Sequence, residues 1–350
     1  MKFYPHTPQP RRPRGMSTLL ACLTLLVWGS SSTAQHADPS PARAENSARM
    51  LAFRTMQRLA NGDAFDAKLR QRIWAGGRDV VGVGHYEQSG GGSGRYSLEM
   101  TIHDGDSRQT MRQISDGKLA WNRAEVANTI SVRRIDLGRI DEYEQEWLAR
   151  TTSAAMTPAT TSLAGFTTSS LAASDERLPA RLLAGGLIEL LDRIHCDYEL
   201  RLGQGTVEGR PVWILRGMLR EGERKRILKA SGRDELALLC PGEVRVAIAA
   251  TADANGFGAG LPIRFEFWSA PVSRAHAPSP VAEEAQEADP PSSAATAGAD
   301  PAGRLISLLE IYSMRKIQPS PEERFRFISD DRDVTFINDT GRYIDRVAAP

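Results

Sequence analysis

Lysine, cysteine and long apolar stretches are all scarce in this 350-residue chain, and each shortage closes off a class of protein. Only Lys2, Lys68, Lys118, Lys225, Lys229 and Lys316 stand among its 44 basic residues, the rest being arginine. With a formal net charge of +1 there is no basic excess to hold a phosphate backbone, so nucleic acid is not expected as a partner. The longest apolar stretch, Leu19–Trp28, covers only about half of a bilayer core, too little for a transmembrane helix. No G-x-S-x-G and no H-E-x-x-H occurs. Gly82-Val83-Gly84 lacks the third glycine of a dinucleotide loop, Glu87 standing in its place, so no cofactor is expected.

The short apolar stretch has its own meaning. Lys2, Arg11, Arg12 and Arg14 precede it, and small residues follow to Ser32-Thr33-Ala34. A basic start, a short apolar middle and an A-x-A-like end make residues 1–34 a secretory signal peptide, cut before Gln35. Leu19-Leu20-Ala21-Cys22 also has the form of a lipobox, which would place a lipid on Cys22. Leu23–Trp28 would then stay on the mature chain, where a lipoprotein normally has a polar tether. Cleavage before Gln35 leaves 40 basic against 43 acidic side chains, a formal charge of −3, on a protein expected to be secreted across the inner membrane into the periplasm. Two cysteines then remain. Cys196 and Cys240 either stay as buried thiols or form one disulfide, which would close a loop worth about 3–4 kcal/mol. Without histidines at metal spacing they make no zinc site, and no metal is expected.

Beyond a polar tether at 35–42, Ala44, Ala48, Leu51, Ala52, Thr55 and Leu59 recur at three and four, an amphipathic helix that Asn61-Gly62 ends. From Lys68 to Trp121 the period changes to two. Tyr96, Leu98, Met100 and Ile102 alternate with Arg95, Ser97, Glu99 and Thr101, a strand with one buried face. Asp116-Gly117 is tight-hairpin chemistry. A strand at Thr129–Arg133 leads to a helix at Leu137–Ala149. Residues 151–177 are low-complexity, and Leu182–Ile194 is helical, starting after Gly185-Gly186 because each glycine costs about 1 kcal/mol inside a helix. Strands return at Tyr198–Leu202 and Pro211–Met218. A helix is expected at Lys225–Leu239, and strands at Val244–Ala249, Ile263–Trp268 and Arg304–Ile317. Pro271–Gly303 is a second low-complexity insertion, Glu323–Phe327 a short aromatic strand, and Val334–Thr340 a closing tail.

LRQRIW, HYEQ, SLEM, SDGKLAW, RRIDLGRI, GRPVWILRG and ERFRFISDDRDVTFIND, in that order, resemble the LolA-type outer-membrane lipoprotein carrier superfamily, which includes the LppX and RseB branches. The likeness covers most of residues 43–345 outside the insertions. It implies an α+β domain over 43–350: a curved antiparallel sheet, an incomplete half-barrel, with helices covering the concave face. It further implies a non-enzymatic, monomeric periplasmic protein that binds or carries a lipid or a lipoprotein acyl chain. The alternative is an envelope sensor or scaffold that uses the same domain to bind a protein partner.

Side chains expected to line an apolar cleft under that sheet are Trp74, Tyr96, Leu98, Met100, Ile102 and Trp121. Trp213, Phe265, Phe267, Phe325 and Phe327 complete the set, each also a candidate for ordinary core packing. His85 and His103, near Glu87 and Asp104, are weighed as acid–base pairs and assigned to the wet face or a turn. His195-Cys196-Asp197 holds the residue types of a thiol site, but chain neighbours rarely face one another. Asp104-Gly105-Asp106 is read as a β-turn rather than a calcium loop. Intact-mass measurement of protein recovered from its own envelope is expected to give a chain beginning at Gln35. A mass that retains residues 1–34 would count against the signal peptide.

Overall fold

The computed structural model describes residues 41–75, 78–105, 107–126, 129–155, 178–231, 240–270, 303–329 and 334–348. Helix α1 (Pro41–Asn61) precedes a six-strand meander, β1 (Phe65–Ala75), β2 (Arg78–Gln88), β3 (Arg95–Asp104), β4 (Ser107–Asp116), β5 (Leu119–Val126) and β6 (Thr129–Asp136). Then come α2 (Leu137–Ala155), a 3-10 turn (Ala180–Leu183), α3 (Gly186–Asp197), β7 (Tyr198–Val207), β8 (Arg210–Leu219) and α4 (Glu221–Ser231). A second meander of β9 (Pro241–Ala249), β10 (Pro262–Ser269) and β11 (Leu305–Lys316) follows. A 3-10 turn (Glu322–Phe325), β12 (Thr335–Asn338) and α5 (Thr340–Ala348) end the described chain.

All twelve strands join one sheet in the order β12-β6-β5-β4-β3-β2-β1-β11-β10-β9-β8-β7. Every described pair is antiparallel except β6–β12, which is parallel. The fold is therefore α+β with an open sheet, and the expected antiparallel sheet carries one parallel strand at its edge. Curvature follows from one contact. Helix α3 touches both β3 and β7, the fifth and twelfth strands in the order. In a flat sheet those strands would lie about 33 Å apart at the usual strand spacing, whereas the 12 residues of α3 make a helix only about 18 Å long. The sheet must curl around α3.

The alternation read in β3 sets the inner, helix-facing side. Tyr96, Leu98 and Met100 are buried and Glu99 is exposed. Cross-strand partners share a face, so Tyr86 opposite Leu98 and Leu69 opposite Gly84 extend the same surface. Against it α3 buries Leu187, Leu191 and Ile194, and α1 buries Ala48, Ala52 and Leu59. Polar side chains on this face tie the helices down. The Tyr86 hydroxyl donates to Gln88 Oε1 at 2.5 Å, and the Gln88 amide donates to the Leu59 carbonyl. The Tyr96 hydroxyl donates to the Ala184 carbonyl at 3.2 Å, and Gln113 Oε1 accepts from Gly186 N–H at 3.1 Å. Buried polar groups satisfied in this way specify one docking of each helix.

The outer face is charged. Glu243 lies 2.7 Å from both Arg216 and Arg245, and Arg264–Glu266 and Arg70–Glu310 close to the same distance. Over β3 and β4 this face is covered by the chain after β11. Arg324 pairs with Glu87 at 2.5 Å, Phe325 is buried, and Phe327 stacks on Trp121 at 4.9 Å.

Several expectations need correction. The strand expected at Glu323–Phe327 is a 3-10 turn with irregular chain beyond it, because Pro319 and Pro321 remove donors from the approach. The tail is more than a closing segment: it forms β12 and then the unexpected helix α5. The helix expected at Lys225–Leu239 starts at Glu221, and 232–239 lie outside the described residues. Of the tether, Pro41 and Ala42 already belong to α1, and 35–40 lie outside. Residues 151–155 end α2, while the signal peptide and the insertions 156–177 and 271–302 lie outside. Cys196 and Cys240 are both free thiols.

Gly185 sits where α3 meets the sheet, at φ 96°, and a Cβ there would fall 1.6 Å from the Tyr96 hydroxyl. Gly185→Ala is expected to lower the unfolding free energy by about 2 kcal/mol or more, measured by urea denaturation. The same change in a Tyr96→Phe background should cost less, since the clashing hydroxyl is gone; equal costs would place the strain elsewhere.

Candidate functional site

The inner face is filled rather than hollow. Tyr96, Leu98, Met100 and Phe265 are buried in the main core, with Ile102 and Phe267 packed at its margin. An apolar cavity lies one layer higher, between helices. It measures about 710 Å³ and is walled by α1, α2, the 178–183 segment, α3 and α5.

Helical periodicity explains how the same helices serve both layers. On α1, Ala48, Ala52 and Leu59 face the sheet, while Arg49, Phe53 and Met56, spaced by four and three, reach the cleft. On α3, Leu187, Leu191 and Ile194 face the sheet, and Asp192, His195 and Cys196 turn to the cleft. On α5, Tyr343, Arg346 and Val347 supply the facing wall. Two helix stripes, one per layer, make a core and a cleft from one set of elements.

The cleft is apolar along Met50, Phe53, Met56, Ile140, Leu178 and Val347, and polar at its α3–α5 seam. There Arg346 pairs with Asp192, and the Tyr343 hydroxyl donates to Glu189 Oε2 at 3.1 Å. Burial, above all, pushes the Asp192 carboxyl above its ordinary range, with the Arg346 guanidinium pulling the other way. Burial also lowers His195, helped by Arg49 and Arg220, which favours the neutral imidazole. The Cys196 thiol is raised by burial and then by Asp192, and its sulfur lies 3.8 Å from Asp192 Oδ1. A protonated thiol turned to a carboxylate one helical turn back is a poor nucleophile, and Asp197 takes no part in that contact.

The other sequence candidates divide by face. Trp213 lines a separate cleft of about 590 Å³ between α1 and the sheet. Trp74, Trp121, Phe325 and Phe327 belong to the outer side. Trp74 lies under Arg72 at 5.1 Å, and Trp121 sits between Phe327 and Phe336. The strand parity that puts Ala120 in a helix-side cluster necessarily turns Trp121 away. None of the eleven side chains expected to line an apolar cleft lines the 710 Å³ cleft, whereas His195 and Cys196 do. His85 lies 3.7 Å from Asp66 rather than against Glu87, which Arg324 occupies. His103 is exposed, and Asp104 pairs with Arg78 at 3.3 Å; Asp106 lies outside the described residues. The cleft residues on α1 were visible as a second apolar stripe, Met50 and Phe53, beside the one that was read. Those on α5 were missed with the helix.

No protein-family model matches the chain, and no curated protein matches it. Among solved structures it is similar to MucB, at 13% identity and TM-score 0.33, over 81% of this chain and 64% of that one. It is also similar to the Pseudomonas aeruginosa MucA/MucB complex, at 12% identity and TM-score 0.33, over 80% and 61%. A LolA superfamily protein from Nitrosomonas europaea matches at 12% identity and TM-score 0.25, over 80% and 97%. The chain thus spans under two thirds of the length of the MucB chains it matches. At such identities function has to be read from this chain's own residues.

A carboxyl raised in the fold binds its proton more tightly folded than unfolded. Its stabilising contribution is present below the ordinary value of 3.8 for Asp192 and is lost as pH rises through the folded value. Asp192→Asn keeps the shape without ionising, so it should gain stability relative to the parent as pH rises from about 4 to 7. Paired urea titrations measure this, and a difference that stays flat with pH would remove the buried-carboxyl reading.

Proposed function

We propose that this protein is a non-enzymatic envelope protein that shelters a lipid, or the acyl chain of a lipoprotein, in the cleft between its helices. One observation carries the reading: a cleft of about 710 Å³, inside the roughly 300–1,000 Å³ range of ligand sites, lined by aliphatic, methionine and phenylalanine side chains. Methionines suit irregular apolar guests because their thioethers adapt without branching. Each methylene moved from water into such walls is worth about 0.8 kcal/mol, so a modest length of chain suffices for retention. The cations at the seam, Arg49 and Arg346, already face Glu45 and Asp192. The site therefore suits an apolar chain better than a polyanionic head.

No described helix is long and apolar enough to cross a membrane. Export by the leader at 1–34 would place the mature domain in the periplasm, where acyl cargo must be shielded from water. Native mass spectrometry of the full protein purified from its own envelope is expected to show co-purifying lipid. Phe53→Glu, which sets a carboxylate among the apolar walls, should lose that lipid while keeping its circular dichroism. A clean apo mass for the unaltered protein would sink the cargo reading.

A further inference from the structure

β7 ends the strand order. Among the described residues its only strand partner is β8, matched from Tyr198 to Val207. A ten-residue strand with one side unpaired carries a row of free N–H and C=O groups, a template for strand addition. Two features beside it define what would be added.

On the outer face the charge ladder breaks off at this edge. Glu243 is shared between Arg216 and Arg245, 2.7 Å from each. Arg201 stands directly opposite Arg216, a like-charge pair that cross-strand neighbours normally avoid. Arg201 is exposed, and no described carboxylate pairs with it. On the inner face the edge borders the cleft of about 590 Å³, with Met50, Leu51, Leu202 and Trp213 as its apolar lining and Arg43 and Arg54 as its charged one. Neither of those arginines has a described carboxylate partner.

We propose that β7 is a docking strand for an extended acidic peptide. A strand laid along β7 has a period of two, so it sets a carboxylate opposite Arg201 on the outer face and an apolar side chain into the Leu202–Trp213 cleft on the inner face. Arg43 and Arg54 extend the preference for acidic residues. A second copy of β7 fits poorly. Antiparallel pairing over the strand's length brings Gly203 or Gly205 opposite Arg201. Glu199 meets Arg201 only if the overlap shrinks to Tyr198–Leu202, where α3 already runs into the strand at Asp197. This surface shares Asn46 and Met50 of α1 with the inter-helix cleft, but the strand edge and Arg201 lie outside that cleft, so the proposal does not rest on the lipid reading.

The test titrates the full chain into a labelled peptide alternating glutamate with valine, and into its lysine–valine counterpart, by fluorescence anisotropy. The glutamate peptide is expected to bind and to slow amide hydrogen exchange across 198–207, with the lysine peptide at least about tenfold weaker. Arg201→Glu removes the opposition to Arg216 and so preserves the fold. It should weaken the glutamate peptide by about tenfold and strengthen the lysine peptide. Equal affinities for the two peptides, exchange protection that spares 198–207, or protection of β7 by self-association without peptide would each overturn the proposal.

Discussion

Everything on the helix side depends on α3 being held from two directions. A helix that touches strands far apart in the order forces the sheet to bend, and the bend is what creates an inside. Leu187, Leu191 and Ile194 are fully buried there, each worth about 1.5–3 kcal/mol in removed apolar surface. That attraction is not directional. Direction comes from the polar ties: Tyr96 to the carbonyl before the helix, and Gln113 to its first N–H. Gly185 lets the backbone come close enough for both.

A filled inner layer changes where a ligand can sit. Because the sheet-facing stripes of α1 and α3 are used up, the inter-helix cleft is lined by the apolar surface those helices turn sideways, toward α2 and α5. A guest placed there displaces no core side chain. The outer wall of the cleft is α5, which rests on α2 through Tyr343, Ile344 and Val347 against Leu137 and Ile140 and is tied to α3 through Arg346–Asp192 and Tyr343–Glu189.

The sheet was legible in the sequence because its signal is local. Tyr96-Ser97-Leu98-Glu99-Met100 states a buried and a wet face without any knowledge of partners, and Asp116-Gly117 marks its turn. The candidate site was much less so. Aromatic type suggests cleft lining, yet type does not determine face: Trp121 follows Ala120 in β5, so one of the two has to point outward. Pro319 and Pro321 carry the signal against a strand at Glu323–Phe327. α5 went unread because its apolar residues number only a few, and their stripe makes sense only against α2. The strand order itself, with β11 seated beside β1, rests on long-range pairing that no window of sequence reports.

That seating of β11 has a consequence for how the chain is made. β1 pairs with β11 across more than two hundred intervening residues, and β10 pairs with β11 on the other side. Until Leu305–Lys316 arrives, no strand pairing joins the two halves of the sheet, and β1 and β10 each present a bare edge. Non-local pairing of this kind makes folding slow and leaves intermediates prone to aggregate. A nascent chain of this design gains from staying unfolded until its last quarter is available, and from meeting few copies of itself meanwhile.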